Sequence, residues 1–114
     1  MKVIVCGGRN YNDADRLVTE LDRIHAEQPI TALLYGMARG ADDLAKMWAT
    51  MRGIKRFGFP ARWEHHGRSA GPIRNQEMLD ASPDLVVAFP GARGTADMVR
   101  RAKAVGVRVI EIAD

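Results

Sequence analysis

The stretch LVVAFPGARGTADMVRRA, residues 85–102, decides the fold of this chain. Its apolar beginning, Leu85–Phe89, contains β-branched residues and predicts a buried strand. A glycine-rich turn follows at Pro90–Thr95, and the residues after it predict a helix that ends at Gly106. Strand, glycine turn and helix in this order present backbone N–H groups to a phosphate in α/β proteins. The stretch therefore predicts an α/β fold that holds a nucleotide-like phosphate.

The same alternation of strand and helix extends outward to both ends of the chain. Apolar runs predict two more central strands, at residues 3–6 and 32–35, and two edge strands, at residues 54–59 and 107–112. Helical periodicity predicts a helix over residues 13–26 with Asn12 as its N-cap, a second from Ala41 to Gly53 and a third from Pro72. The segment 61–70 lacks a regular pattern and is predicted to be a long loop.

These elements predict a single three-layer, Rossmann-like α/β domain over residues 1–114. Five strands alternating with four helices indicate a parallel sheet with helices on both faces. The most continuously apolar strands, the first, second and fourth, belong in the middle, and right-handed crossovers then give the order 3-2-1-4-5. Ligands of such sheets bind at the carboxyl ends of the strands where the chain reverses direction, here between the first and fourth strands.

Composition narrows the class of protein. The formal net charge is +3, but basic and acidic residues are mixed along the chain, with no zinc-finger spacing and no aromatic cluster. Nucleic-acid binding is therefore the weaker expectation. Cys6 is the only cysteine, so no intrachain disulfide is possible, and no apolar run approaches a membrane span of about 20 residues. With no signal-peptide pattern at the N-terminus, these features predict a cytoplasmic protein that does not contact a membrane.

Three predicted turns on one rim of the sheet combine glycine with arginine. Glycine allows the backbone to approach a ligand, and arginine donates two parallel hydrogen bonds to a phosphate. Thr95 either caps the following helix or donates its hydroxyl to the phosphate. The alternative is that the glycines serve the turns alone. The turn residues predicted to bind ligand are Gly7, Gly8, Arg9, Gly36, Ala38, Arg39, Gly40, Pro90, Gly91, Arg93, Gly94 and Thr95.

Two common nucleotide sites are disfavoured, and no cofactor is expected. The run at residues 7–9 lacks the third glycine of the dinucleotide fingerprint, and the phosphate-loop lysine motif is missing. His65 and His66 have no cysteine or carboxylate at metal-ligand spacing, so no metal site is predicted. The two histidines are expected to face solvent, with one of them at the mouth of the pocket as the alternative.

Longer motifs carry a resemblance to a known group. GGR at residues 7–9, GxARGAD at 36–42, Trp63 and GRSAGPxRNxxM at 67–78 resemble the small YspA-like branch of the SLOG superfamily. This branch is often found in phage and bacterial genomes. These Rossmann-like domains are related to the LOG and lysine-decarboxylase-like proteins and to DNA-processing protein A. The likeness extends over nearly the whole chain. It implies that Asp42, Arg74 and Asn75 join the ligand site, and that the protein forms a homodimer or larger assembly.

The resemblance also implies a possible reaction. LOG enzymes cleave the N-glycosidic bond of nucleoside monophosphates and carry the signature PGGxGTxxE together with a helical arginine, which Arg74 matches. Here Ala92 replaces the second glycine and Met98 replaces the glutamate. A thioether can neither stabilise an oxocarbenium-like state nor activate water, so Met98 is expected to fill the core. The candidate replacement acids are Asp97, Glu77 and Asp42.

Two functions follow from these residues. The first is a module that binds a nucleotide or nucleotide-derived molecule, such as an ADP-ribose-like signal, as a sensor or to sequester it. The second is a phosphoribohydrolase-like enzyme that uses Arg74 and a relocated acid. Trp63 is expected to anchor the core, with a base-stacking platform as the alternative, and Cys6 is expected to be a small buried hydrophobe.

Overall fold

The computed structural model describes residues 1–114 and contains one parallel five-stranded sheet. The strand order is β3-β2-β1-β4-β5, which confirms the predicted topology. The strands are β1 (Lys2–Cys6), β2 (Ala32–Tyr35), β3 (Lys55–Gly58), β4 (Leu85–Ala88) and β5 (Arg108–Glu111). The helices are α1 (Ala14–Glu27), α2 (Ala41–Arg52), α3 (Trp63–His66), α4 (Ala70–Asp80) and α5 (Arg93–Ala104), with a 3₁₀ turn at Gly67–Ser69.

The centre of the sheet is the pair β1 and β4. Val3 pairs with Leu85 and Cys6 with Ala88, so the two strands end at the same level. Every residue of β4 is buried, whereas all four residues of β3 are exposed. Strands buried on both faces are almost continuously apolar, and edge strands tolerate charge. This difference explains why the apolar content of the strands predicts their order.

Each face of the sheet has its own hydrophobic core. On one face, α1 and α2 contribute Leu17, Leu21 and Trp48 to a cluster of 16 buried residues. On the other face, α4 and α5 contribute Met78 and Met98 to a cluster of seven. Met98 is fully buried, which confirms that it fills the core. The three layers follow because successive strand residues point to opposite faces.

The starts of α1 and α5 differ from the prediction. The N-cap of α1 is Asp13 rather than Asn12, since the Asp13 carboxylate accepts a hydrogen bond from the Arg16 amide at 3.0 Å. Helix α5 begins at Arg93, and no side chain caps it. The prediction that Thr95 caps this helix is therefore wrong, because Thr95 already lies within the first turn.

The predicted loop over residues 61–70 is also wrong. This segment forms α3 and the 3₁₀ turn and then enters α4, which begins at Ala70 instead of Pro72. No residue of α3 or of the 3₁₀ turn is buried. A segment that buries no side chain has no apolar face, so its sequence lacks the periodicity by which helices are predicted. No helix in the structure has the length and apolar character needed to span a membrane.

Candidate functional site

A cavity of about 810 Å³ lies at the carboxyl ends of β1, β2 and β4. Its volume is within the roughly 300–1,000 Å³ typical of small-molecule sites. It lies beside the β1–β4 pair, where the chain reverses direction across the sheet. Most of the predicted site residues line it: Gly7, Gly8, Arg9, Gly36, Ala38, Asp42, Arg74, Asn75, Pro90, Gly91, Arg93, Gly94, Thr95 and Asp97.

Three predicted site residues do not line the cavity. The exposed Arg39 turns toward Asn10, with Nη2 3.5 Å from Oδ1. Glu77 is exposed on α4. Gly40 adopts a left-handed φ of 79° and packs against the backbone of Gly8 and Arg9. A Cβ on residue 40 would overlap these backbone atoms. The structure therefore corrects the placement of these residues, and Gly40 instead allows two turns to approach each other.

The turns after β1 and β4 are joined by their backbones. The Gly8 amide donates to the Pro90 carbonyl at 2.8 Å, and the Ala41 amide donates to the Gly8 carbonyl at 3.1 Å. A Cβ on Gly8 would lie 3.0 Å from the Pro90 oxygen, and one on Gly7 only 2.6 Å from the Ala41 Cβ. The two glycines are thus needed for packing. The Gly8 amide is already paired within the protein.

The first turn of α5 forms the opposite wall. Arg93, Gly94 and Thr95 line the cavity and are the first three residues of this helix. The first amides of a helix have no carbonyl partner within the helix, and no side chain caps them here. These N–H groups and the helix dipole favour an anion at this wall.

The Arg74 side chain lines the cavity and has partners within the protein. Its Nη1 donates to the Gly36 carbonyl, and its Nε donates to Asn75 Oδ1 at 3.1 Å. A Cβ on Gly36 would overlap the Arg74 guanidinium, so a larger residue there would displace this side chain from its contacts. Burial lowers the pKa of Arg74, while the nearby Asp42 acts in the opposite direction. The Gly36 carbonyl and the Asn75 side chain hold the guanidinium in place at the cavity.

Asp42 is the acid beside this guanidinium. Its side chain is almost fully buried, and Oδ2 accepts a hydrogen bond from the Ala38 amide at 3.1 Å. Burial raises the pKa of the Asp42 carboxyl to about 6, although the Ala38 amide and Arg74 favour the charged form. The cavity thus contains a carboxyl that gains or loses its proton near neutral pH.

Asp97 is fully engaged in structural contacts. One carboxylate oxygen accepts from Arg100 Nη2 at 2.6 Å, and the other accepts from Arg101 Nε and Asn75 Nδ2, both at 2.9 Å. Asn75 also donates to the Gly94 carbonyl at 3.2 Å. Through these bonds Asp97 and Asn75 fix α4 against the first turn of α5.

Cys6, Trp63 and Arg68 also line the cavity, and of these only Trp63 is predicted from sequence as an alternative site residue, a base-stacking platform. Trp63 is 47% exposed, so the expectation that it anchors the core is wrong. It lies at the cavity together with Arg68, which belongs to the GRSAGPxRNxxM motif. Cys6 also lines the cavity and is only partly buried, while burial of its thiol raises the pKa to about 12. At neutral pH this thiol is therefore protonated, so it is a weak nucleophile.

The two adjacent histidines contribute little to the site. His65 and His66 are both exposed, as expected, and neither lines the cavity. The structure contains no group of three histidine, cysteine, aspartate or glutamate residues arranged to hold a metal ion.

Comparison with known proteins identifies the family of this chain, a relative in a phage and a protein of similar structure. The sequence model of the family described as YspA, cpYpsA-related SLOG matches residues 1–66. Gene 61 protein of Mycobacterium phage D29 is 37% identical, and the match covers 99% of this chain and 97% of that protein.

DNA processing protein A from Streptococcus pneumoniae has a similar structure, with a TM-score of 0.54 at 16% identity. The match covers 96% of this chain but only 58% of that one, so the likeness shows a shared Rossmann-like fold. The family match covers more than half of the chain and includes two of the three glycine turns. The chain therefore belongs to the YspA, cpYpsA-related SLOG family.

Proposed function

We propose that this protein binds a nucleotide or nucleotide-derived phosphate in the cavity and holds it without cleaving it. One observation carries the proposal. The uncapped first turn of α5 faces the same cavity as four arginines, Arg9, Arg68, Arg74 and Arg93. Helix amides and guanidinium groups together are the donors by which proteins bind phosphate.

Three of these arginines are available to a ligand. The side chains of Arg9, Arg68 and Arg93 are exposed and form no hydrogen bond or ion pair within the protein. The acids in the cavity do not balance them, because Asp97 is neutralised by Arg100 and Arg101 and Asp42, when ionised, supplies one negative charge against four guanidinium groups. The cavity is therefore positively charged, which favours a phosphate-bearing ligand.

The positions of the acids support holding rather than cleavage. Met98, at the position of the LOG glutamate, is fully buried in the core. Asp97 already accepts hydrogen bonds from three side chains. Neither residue is free to activate water or stabilise a cationic sugar. A sensor or a sequestering module for a signal such as an ADP-ribose-like molecule needs no such group.

The test is a thermal-shift panel with inorganic phosphate, ribose 5-phosphate, AMP and ADP-ribose. At least one nucleotide should raise Tm more than inorganic phosphate at equal concentration, since a ligand of the folded state stabilises it. Arg68→Ala should weaken that ligand about fivefold to tenfold, as expected for one charge-assisted contact. Arg108→Ala on β5, an exposed arginine far from the cavity lining, is the matched control and should change nothing.

Two results would overturn the proposal. In one, no nucleotide changes Tm. In the other, the protein binds only oligonucleotides, with affinity that falls steeply with salt and is unchanged in Arg68→Ala, which indicates a nucleic-acid surface.

Asp42 favours a second candidate, N-glycosidic hydrolysis. It is an acid in the cavity beside Arg74, and a pKa of about 6 suits proton transfer near neutral pH. Incubation with AMP followed by chromatography for free adenine tests this activity. Adenine release that Asp42→Asn abolishes while AMP still binds would establish the hydrolase, whereas absence of adenine with AMP bound supports the binding module.

The homodimer or larger assembly implied by the family resemblance is part of the same proposal. Sedimentation velocity of the free protein checks it directly. A species heavier than the 12.6 kDa chain is expected.

A further inference from the structure

Trp63 is a large aromatic side chain that the protein does not use for its core. It is 47% exposed, whereas Trp48, the other tryptophan, is fully buried. Trp63 begins α3, a segment in which no residue is buried. An aromatic side chain lining a cavity while remaining half-exposed has apolar surface available to a ligand.

Two contacts fix the indole at the cavity. The Cη2 atom of the indole lies next to Gly71 at the start of α4. A Cβ built on Gly71 would be 3.6 Å from this atom. The Arg9 guanidinium lies over the ring, with Cζ 5.5 Å from the ring centroid. A guanidinium is planar, so its position shows that a flat group can reach this face of the indole. The pair is partly in solvent, where such contacts are weak.

The remaining lining is divided by chemistry. The phosphate-binding groups are the first turn of α5 and Arg74, whereas Trp63 supplies an aromatic surface in the same cavity. A sugar phosphate would satisfy the first set alone. A nucleotide also carries a flat aromatic base, which stacks on tryptophan regardless of its identity because every base has a π-face.

We infer that Trp63 is the base-binding residue of the site, so that the ligand is a nucleotide with its base stacked on the indole rather than a sugar phosphate. This inference rests on the proposed function, because it takes the cavity as the ligand site. A base that takes the place of Arg9 on the indole releases a guanidinium with no hydrogen-bond partner of its own. Arg9 then reaches the phosphate, so base and phosphate are recognised together.

The test compares AMP with ribose 5-phosphate by isothermal titration calorimetry, in the wild-type protein and in Trp63→Ala and Trp63→Phe. AMP should bind wild type at least tenfold more tightly than ribose 5-phosphate, and Trp63→Ala should lose about tenfold for AMP and nothing for ribose 5-phosphate. Trp63→Phe should retain most of the AMP affinity, because phenylalanine keeps an aromatic face. Each variant is first compared with wild type for Tm without ligand.

Fluorescence provides a second readout. Of the two tryptophans, only Trp63 is exposed. AMP should therefore quench the tryptophan fluorescence of the wild-type protein but not that of Trp63→Phe. Ribose 5-phosphate should quench neither. Unchanged AMP affinity in Trp63→Ala, or equal affinity of wild type for the two ligands, overturns this inference and leaves phosphate binding intact. If wild type binds neither compound nor any other nucleotide, the proposed function itself is overturned.

Discussion

The turn after β2 and the turn after β4 share an arginine–glycine pair but use it differently. In the first, Gly40 has a φ of 79° and packs against the turn after β1, while Arg39 does not line the cavity and its guanidinium contacts Asn10. In the second, Arg93 and Gly94 continue into the first turn of α5, where a Cβ on Gly94 would meet nothing within 4 Å and Arg93 lines the cavity. One turn builds the scaffold, and the other leads into residues that line the cavity. The arginine–glycine pair therefore has a different role in each turn, and the difference lies in the backbone conformation of the glycine.

Replacing Gly40 and Gly94 should show the largest difference between the two turns, measured as the free energy of unfolding. Gly40→Ala should destabilise the protein by more than about 3 kcal/mol, because alanine resists a positive φ and its Cβ would overlap backbone atoms. Gly94→Ala should instead raise stability by about 0.5–1 kcal/mol, as alanine replaces glycine within a helix. Urea unfolding of both variants measures the difference. Equal effects would show that the two turns do not differ.

A second prediction concerns the bonds that fix the ligand-facing turn. Asp97→Asn should lower the free energy of unfolding by about 2 kcal/mol, because two charged hydrogen bonds and the Asn75 contact are lost. Asp15→Asn, an exposed acid at the start of α1, is the control and should change stability by less than about 0.5 kcal/mol. A variant as stable as wild type would mean that Asp97 is free for another task.

A third prediction concerns Asp42, which lies in the first turn of α2, directly after the scaffold turn. The folded-state pKa of Asp42, about 6, exceeds its ordinary value of 3.8, so the folded protein binds this proton more tightly than the unfolded chain. The free energy of unfolding therefore falls as pH rises from about 4 to 6. Asp42→Asn removes this contribution and should be more stable than wild type above pH 6, by about 3 kcal/mol at most.

Urea unfolding of wild type and Asp42→Asn between pH 4 and 8 checks this sign. The two curves should converge near pH 4 and separate as the pH rises. If the variant loses stability at pH 7 relative to wild type, the ion pair with Arg74 outweighs the burial of Asp42.

The smallest effect is expected for the two arginines. Arg93→Ala should weaken a phosphate ligand about fivefold, close to 1 kcal/mol, while Arg39→Ala should leave its affinity unchanged. Neither side chain is buried, so both variants should unfold with wild-type stability. Titration calorimetry with the best nucleotide of the panel measures both. Equal losses would indicate that the turn after β2 also reaches the ligand.

The sequence predicts the sheet well because its information is local. Apolar runs identify β1, β2 and β4, and the crossover rule then leaves few arrangements. The helical turns at residues 63–69 are not predicted from sequence, because a helix that buries no side chain has no apolar stripe. The start of α5 was placed too late because Arg93 and Gly94 read as part of the preceding turn.

The site is predicted less completely, because its details depend on contacts between distant residues. The glycine turns are visible in sequence, but whether Arg39 or Arg93 faces the cavity depends on the backbone at Gly40 and on the turn that packs against it. The roles of Asp97 and Asn75 likewise depend on α4 meeting α5. Trp63 shows the same limit, since tryptophan occurs both in cores and in binding sites.

The hydrogen bond from Gly8 to Pro90 has a consequence for synthesis of the chain. It joins the first turn to nearly the last one, and a ligand between them needs both walls. A ribosome that has made the first 66 residues has made the turns after β1 and β2 but neither Arg74 nor the first turn of α5. Any ligand that needs both walls therefore requires a chain that extends at least through the first turn of α5.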